Sequence, residues 1–272
     1  MSFYVTLPSN SSIDMFPNNK LNDFTTKLAQ PVSLMGEWEV GLSEIQFPVS
    51  WYTIDRDEGQ IVLQQHANDV HPITFRLKKG HYEDPETLVN QFHKVLASKL
   101  GGNSERVRLS YDNFTQRMTL KLEPNSMLIL KKSFANLLGF FEEDFDETGD
   151  IVYKDRPDTI FFGPFDQNKR IDGKRMIDMQ RGFYSLFFYC DLVEPVLVGD
   201  MKAPLLRTVH IKGKDGEMIN KIFQNVQYAP LQKKHFETIE INIRDDAGKP
   251  VPFERGRVIV TLHFKQKKPS FF

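Results

Sequence analysis

Hydrophobic and polar residues alternate most cleanly in the last third of the chain. Ile239, Ile241 and Ile243 alternate with Thr238, Glu240 and Asn242, and Val258, Val260, Leu262 and Phe264 repeat the pattern. A period of two places one face of a strand inside and the other outside. The pattern therefore predicts strands over 236–244 and 257–265, joined through the turn residues Asp245-Asp246-Ala247-Gly248-Lys249-Pro250. Further strands are predicted over 183–193, 205–211 and 217–228, the first of them apolar or aromatic on both faces and so expected deep in a sandwich. At the other end, 3–7 reads as a short extended arm, broken by Pro8 and Ser9-Asn10-Ser11-Ser12. Two strands follow over 23–34 and 37–47, with Met35-Gly36 between them in the manner of a hairpin turn. In the second, the apolar face switches after Leu42 to Ile45 and Phe47, which predicts a bulge.

The stretch 59–145 has a different texture. Strands are expected over 61–65 and 73–77. Asp84-Pro85-Glu86 then supplies an N-cap, a first-turn proline and a first-turn carboxylate, the order a helix start needs. Leu88, Val89, Phe92, Val95 and Leu96 recur at helical spacing until Gly101-Gly102 stops them. Strands over 107–111 and 117–122 meet across Asp112-Asn113, and a short helix over 133–138 is closed by Gly139. From Glu142 to Gly182 the chain is acidic, then basic, and rich in Pro, Gly and Asp, which reads as long loops with a few short strands. The expected fold is mainly β: a single antiparallel jelly-roll sandwich from 1–58 and 183–272, an inserted α/β upper domain over 59–145, and a loop-rich connection over 146–182 assigned to neither.

Bulk composition narrows the function classes. With 272 residues, 40% of them hydrophobic and 26% charged, the chain is an ordinary globular one, apart from 23 phenylalanines that favour packed sheets and interfaces. A net charge of -1 removes the global electrostatic footprint of a protein that grips nucleic acid over its whole surface. Cys190, the single cysteine, excludes an intrachain disulfide framework and a cysteine-only zinc site, and its apolar setting reads as a core position. The N-terminus lacks the basic start and apolar stretch of a signal peptide, and no apolar run approaches the ~20 residues of a membrane span.

Candidate chemistry is sparse. None of His66, His71, His81, His93, His210, His235 and His263 pairs at the i, i+4 spacing of zinc proteases. His66 and His71, with Asp69 between them, are the nearest to a metal pair, but solvated loop polarity explains them more simply; His263 reads as an outward strand residue. The run Glu142-Glu143-Asp144-Phe145-Asp146-Glu147, with Gly149-Asp150, lacks the ligand spacing of an EF-hand loop and reads as solvated charge. No phosphate-binding glycine loop or Gly-x-Ser-x-Gly elbow is present. Asp191, Glu194 and Glu240 are the strand carboxylates that a glycosidase would need to bring together. Lys265-Gln266-Lys267-Lys268 is a short basic end, able to touch phosphates or to act as a gatekeeper after an apolar strand. No catalytic, cofactor-binding or metal residue is assigned, no cofactor is expected, and an enzyme is the least favoured class.

Several phrases of sequence carry a resemblance. Ser2-Phe3-Tyr4-Val5-Thr6-Leu7-Pro8, Phe16-Pro17-Asn18-Asn19, Phe24-Thr25-Thr26-Lys27-Leu28 and Gly36-Glu37-Trp38-Glu39-Val40-Gly41-Leu42 resemble the penton, or minor capsid, proteins of Polinton (Maverick) elements and adintoviruses. So do Lys79-Gly80-His81-Tyr82, Phe134-Ala135-Asn136-Leu137-Leu138-Gly139-Phe140, Tyr189-Cys190-Asp191-Leu192-Val193-Glu194-Pro195, Ala203-Pro204-Leu205-Leu206-Arg207 and Pro252-Phe253-Glu254. The resemblance implies a single jelly roll with an inserted upper domain, similar in plan to virophage pentons. It further implies homopentamers at icosahedral vertices and a double jelly-roll major capsid protein as partner. A virion location follows, with assembly inside a eukaryotic host cell, and a host receptor and packaged DNA (through the C-terminal basic residues) as further partners. The main rival is a carbohydrate- or receptor-binding β-sandwich attachment protein, since jelly rolls serve all these roles.

Overall fold

The structure, a computed structural model, describes residues 1–64, 72–144, 151–152, 157–181 and 184–267. In chain order the elements are β1 (Ser2–Pro8), β2 (Asp23–Ser33), β3 (Trp38–Pro48), β4 (Gln60–Gln64), β5 (Ile73–Arg76), α1 (Pro85–Leu100), β6 (Val107–Asp112), β7 (Arg117–Leu122), β8 (Met127–Lys131) and α2 (Lys132–Leu137). They continue as β9 (Ile151–Val152), β10 (Thr159–Phe162), β11 (Lys169–Asp172), β12 (Ser185–Cys190), β13 (Val196–Val198), β14 (Met201–Ala203), β15 (Leu205–His210), β16 (Met218–Ile222), β17 (Tyr228–Pro230), β18 (His235–Arg244) and β19 (Ile259–Gln266). Two compact units result: Met1–Trp51 with Gly182–Phe272, and Tyr52–Arg181.

The first unit is an antiparallel sandwich. One sheet has the order β1-β19-β3-β16, with β17 also on β3, and the other has β15-β12-β18-β2. Numbering its eight principal strands along the chain gives 1-8-3-6 and 5-4-7-2, which is the jelly-roll order. Leu42, Ile45, Phe47, Val260, Leu262 and Phe264 from one sheet and Leu186, Phe188, Ile239, Ile241 and Ile243 from the other are fully buried and form one cluster between the sheets. At roughly 1.5–3 kcal/mol for each large apolar side chain removed from water, this cluster is the main force holding the sheets together.

Three local expectations change. The residues read as an arm are strand β1, paired with β19 in continuous register from Ser2↔Lys265 to Pro8↔Ile259. Phe3, Val5 and Leu7 alternate inward, and Phe3 stacks on Phe264 at 4.8 Å between ring centres, so burial ties the segment down. Met35-Gly36 is not a hairpin turn, because β2 pairs with β18 while β3 pairs with β19 and β16. The connection crosses between sheets, helped by Gly36 at a φ of 89° and by the Trp38 indole N–H donating to the Met35 carbonyl at 3.0 Å. The stretch 217–228 is two strands, β16 and β17, both on β3. The expected bulge is present: Thr261 faces Glu44 and Leu262 faces Leu42, leaving Ser43 extra, with its hydroxyl donating to the Thr261 carbonyl at 2.8 Å. β12 lies between β15 and β18, with Leu186, Phe188 and Cys190 buried and its alternate residues half-buried.

The second unit joins a β5-β4-β8-β10-β9 sheet, a β11-β7-β6 sheet and the helices α1 and α2 around its own cluster, which includes Ile61, Phe92, Leu120, Phe134, Phe140 and Phe162. Helix α1 starts where the sequence says it should: the Asp84 carboxylate accepts from the Thr87 N–H at 2.6 Å, with Pro85 beginning the first turn. Leu88, Phe92 and Leu96 form its buried stripe. The unit reaches beyond 59–145, because β10 pairs with β8 and β11 with β7, drawing part of the supposed loop stretch into sheets. Strand β8, Met-Leu-Ile-Leu-Lys, is a continuous apolar run without a period of two, and it passes directly into α2.

Candidate interaction surfaces

The outer face of the jelly roll's β1-β19-β3-β17 region carries a compact aromatic and charged group. Registers Tyr4↔His263, His263↔Gly41 and Tyr228↔Gly41 bring residues from four strands side by side. Tyr4, 63% exposed, stacks on the His263 ring at 4.3 Å, and the Tyr228 hydroxyl lies 2.7 Å from His263 Nδ1. Lys265 Nζ sits 4.8 Å from the Tyr228 ring centre and 3.5 Å from Glu39 Oε1. Burial, and then the charge of Lys265, hold the His263 imidazole below the usual histidine range, which favours the neutral ring. Gly41 makes the grouping possible, because a Cβ there would lie 2.4 Å from the Gln227 carbonyl oxygen.

Apolar residues stand exposed elsewhere on the same unit. The β13–β14 hairpin presents Leu197 at 77% and Met201 at 62% exposure, and strand β16, at the end of its sheet, presents Met218 and Ile222. On the second unit, Phe114 in the β6–β7 turn is 96% exposed. Contiguous exposed apolar patches mark contact sites, whereas single exposed apolar residues such as Phe114 are ordinary surface.

The residues singled out from sequence are mostly structural. Cys190 is buried in the sandwich, and burial pushes its thiol up to about 12. Asp191 and Glu240 do meet, but Asp191 uses one oxygen on the Glu240 N–H at 2.8 Å and the other on Lys233 at 2.7 Å, tying the end of β12 to β18. Burial, with the charges of Asp23 and Asp191, raises the Glu240 carboxyl above the usual range. Glu194 is fixed through its backbone N–H to the Pro230 carbonyl at 3.0 Å. Within the acidic run, Glu142 pairs with Lys132, and Glu143 and Asp144 bind Arg175 at 3.0 and 2.7 Å, so these three are ion-paired and not merely solvated. The rest of that run, 145–150, lies outside the described residues, as do His66, Asp69 and His71. Of the C-terminal basic residues, Lys265 faces Glu39 and Lys267 faces Glu37 at 3.7 Å, while Lys268 lies outside the described residues. Among the described residues, no group of three His, Cys, Asp or Glu side chains is placed to hold a metal, and no helix is long and apolar enough to cross a membrane.

Strand order thus defines the class: a mainly β, antiparallel jelly-roll protein whose third and fourth principal strands are separated by an α/β unit. Among solved structures, the chain is similar to the selenomethionine-labelled mavirus penton protein, with 9% identity over 97% of this chain and 99% of that one, at a TM-score of 0.48. The fold assignment rests on the strand order and not on that likeness. No protein-family profile matches the chain, and no curated protein matches it.

Proposed function

We propose that this chain is a non-enzymatic capsid building block: the penton protein of a Polinton- or adintovirus-type particle, forming homopentamers at icosahedral vertices within a shell of double jelly-roll major capsid protein. The carrying observation is the jelly-roll order interrupted between its third and fourth principal strands by the whole of Tyr52–Arg181. A cyclic ring needs two different, complementary faces on each subunit. This sandwich supplies four distinct sheet ends, β1 and β16 in one sheet and β2 and β15 in the other, with Tyr4 exposed on β1 and Met218 and Ile222 exposed on β16. The penton-like phrases noted above fall in both units. Packaged DNA is not part of the reading, since Lys265 and Lys267 already face carboxylates. Placement in a virion, assembled inside a eukaryotic cell, follows from the same proposal.

The aromatic group around His263 favours a second reading, a sandwich that attaches to a receptor or carbohydrate, and a vertex protein can serve in both ways. Co-expression with the cognate major capsid protein tests the first. Icosahedral particles should form with this chain at their fivefold positions, although the isolated subunit is free to be a monomer. Particles that place it at threefold faces, or that close without it at the vertices, would sink the proposal.

A further inference from the structure

The β11-β7-β6 sheet carries an arrangement that works against its own stability. Arg108 on β6 lies directly opposite Lys121 on β7, and Lys121 lies directly opposite Arg170 on β11. All three are exposed, and directly opposed residues share a face, so three cations stand in one rung across the sheet. Like charges placed opposite each other destabilise a sheet, whereas the next rung, Ser110, Thr119 and Asp172, is mixed polar and acidic. Asp172 partly offsets the cost by binding the Arg170 Nε at 2.9 and 3.1 Å. Arg108 and Lys121 have no carboxylate partner within 4.0 Å among the described residues.

The rung borders a cleft of about 760 Å³, walled by His93, Leu96 and Ala97 of α1 and by the sheet. Arg106 and Lys169 add two more cations to its lining, against two carboxylates, Glu105 and Glu123, the second of which lies 3.9 Å from Arg106. His93 adds no charge: its Nε2 accepts from the Leu109 N–H at 3.2 Å, and burial, then Arg108, holds it below the usual histidine range. The lining thus holds five cations, Arg106, Arg108, Lys121, Lys169 and Arg170, against two carboxylates, while its apolar residues Leu96, Val107 and Leu122 are buried.

We infer that this cleft is a binding site for a sulfated polysaccharide. The ligand must be a polyanion, because the rung alone spans two strand spacings, about 10 Å, and one small anion cannot serve all three cations. Its anions must be held in a line and stay ionised, as sulfate groups along a sugar chain are. Single-stranded nucleic acid fits less well, since the lining holds no Phe, Tyr or Trp ring on which a base would stack. A protein partner fits less well too, because the centres of protein interfaces are depleted of charge. The inference stands apart from the capsid proposal: it needs only the second unit's geometry and holds or fails whether or not the chain sits at a vertex.

The test uses the full chain and a heparin hexasaccharide, with an oligo-dT and an oligoglutamate peptide of matched charge as competitors. Lys121→Glu should lower affinity for the hexasaccharide at least about tenfold, the scale of one charge-assisted contact. The same change should leave the unit's melting temperature unchanged or higher, because the new carboxylate lies between Arg108 and Arg170. Arg76→Gln, an exposed cation on the other sheet of the unit, should bind as the unaltered protein does. Arg108→Gln reads out the same loss if Lys121→Glu fails to fold. No binding by the unaltered protein, equal binding by the cleft variants, or tighter binding of either competitor would overturn the inference.

Discussion

Two glycines offer a way to perturb one unit at a time. At Gly41, in β3, an alanine Cβ would stand 2.4 Å from the Gln227 carbonyl oxygen and 2.5 Å from Val226 Cγ1, well inside contact distance. The backbone of 226–228 must move, and it carries Tyr228, so the strain falls on the β17 pairing and on the aromatic group around His263. At Gly139, with a φ of 86°, an alanine Cβ would stand 2.1 Å from the Arg175 carbonyl oxygen, in the second unit. Overpacking of this kind costs about 1–3 kcal/mol. Because Phe264 and Phe134 belong to different hydrophobic clusters, each substitution should weaken mainly its own unit. Hydrogen–deuterium exchange read by mass spectrometry separates the two. A loss of 1–3 kcal/mol lowers protection about 5- to 150-fold in amides that open with the whole unit. Gly41→Ala should do this in β3, β18 and β19 and spare α1 and β7, and Gly139→Ala should do the reverse. Gly80→Ala, where an added Cβ meets nothing within 4 Å, serves as the neutral comparison. Equal losses in both units from either substitution, or no loss from Gly41→Ala, would refute the reasoning.

Other outcomes follow from single side chains. Phe188→Ala empties the centre of the sandwich and should cost about 3–5 kcal/mol, read as a lower urea midpoint for the first unit; a shift under a third of that would mean the sheets collapse onto the gap. Cys190, buried and with its thiol pushed up to about 12, should resist alkylation at pH 8 until denaturant opens the fold, and labelling at the rate of a free thiol would contradict its placement. The Glu240 carboxyl is raised in the folded state, so the folded chain holds that proton more tightly than the unfolded chain, and stability falls as pH rises from the ordinary glutamate range through the folded value. Glu240→Gln should therefore raise the thermal midpoint at pH 7 and change little at pH 3; an equal gain at both would assign the effect to something other than ionisation.

Parts of this protein are legible without any structure because their causes are local. The start of α1 follows from Asp84-Pro85 and its end from Gly101, and the bulge at Ser43 shows in the switch of apolar face after Leu42. Strands β18 and β19 follow from strict alternation. Local cause fails where partners are distant. Strand β8 is hidden in an unbroken apolar run, β10 and β11 are strands because β8 and β7 lie beside them, and Met35-Gly36 looks like a hairpin until its two strands join different sheets. Both candidate surfaces are of the same kind. Only the register says that Arg108, Lys121 and Arg170, or Tyr4, Tyr228 and His263, stand side by side.

The sequence by itself determined the period of each strong element, the caps of its long helix and the mainly β character of both chain ends, because backbone sterics and burial of alternate side chains act within a few residues. Tertiary structure alone decided the jelly-roll order, the extent of the inserted unit and the rung of three cations. Those depend on pairings between segments tens to hundreds of residues apart, and no local preference specifies which distant edge a strand will meet.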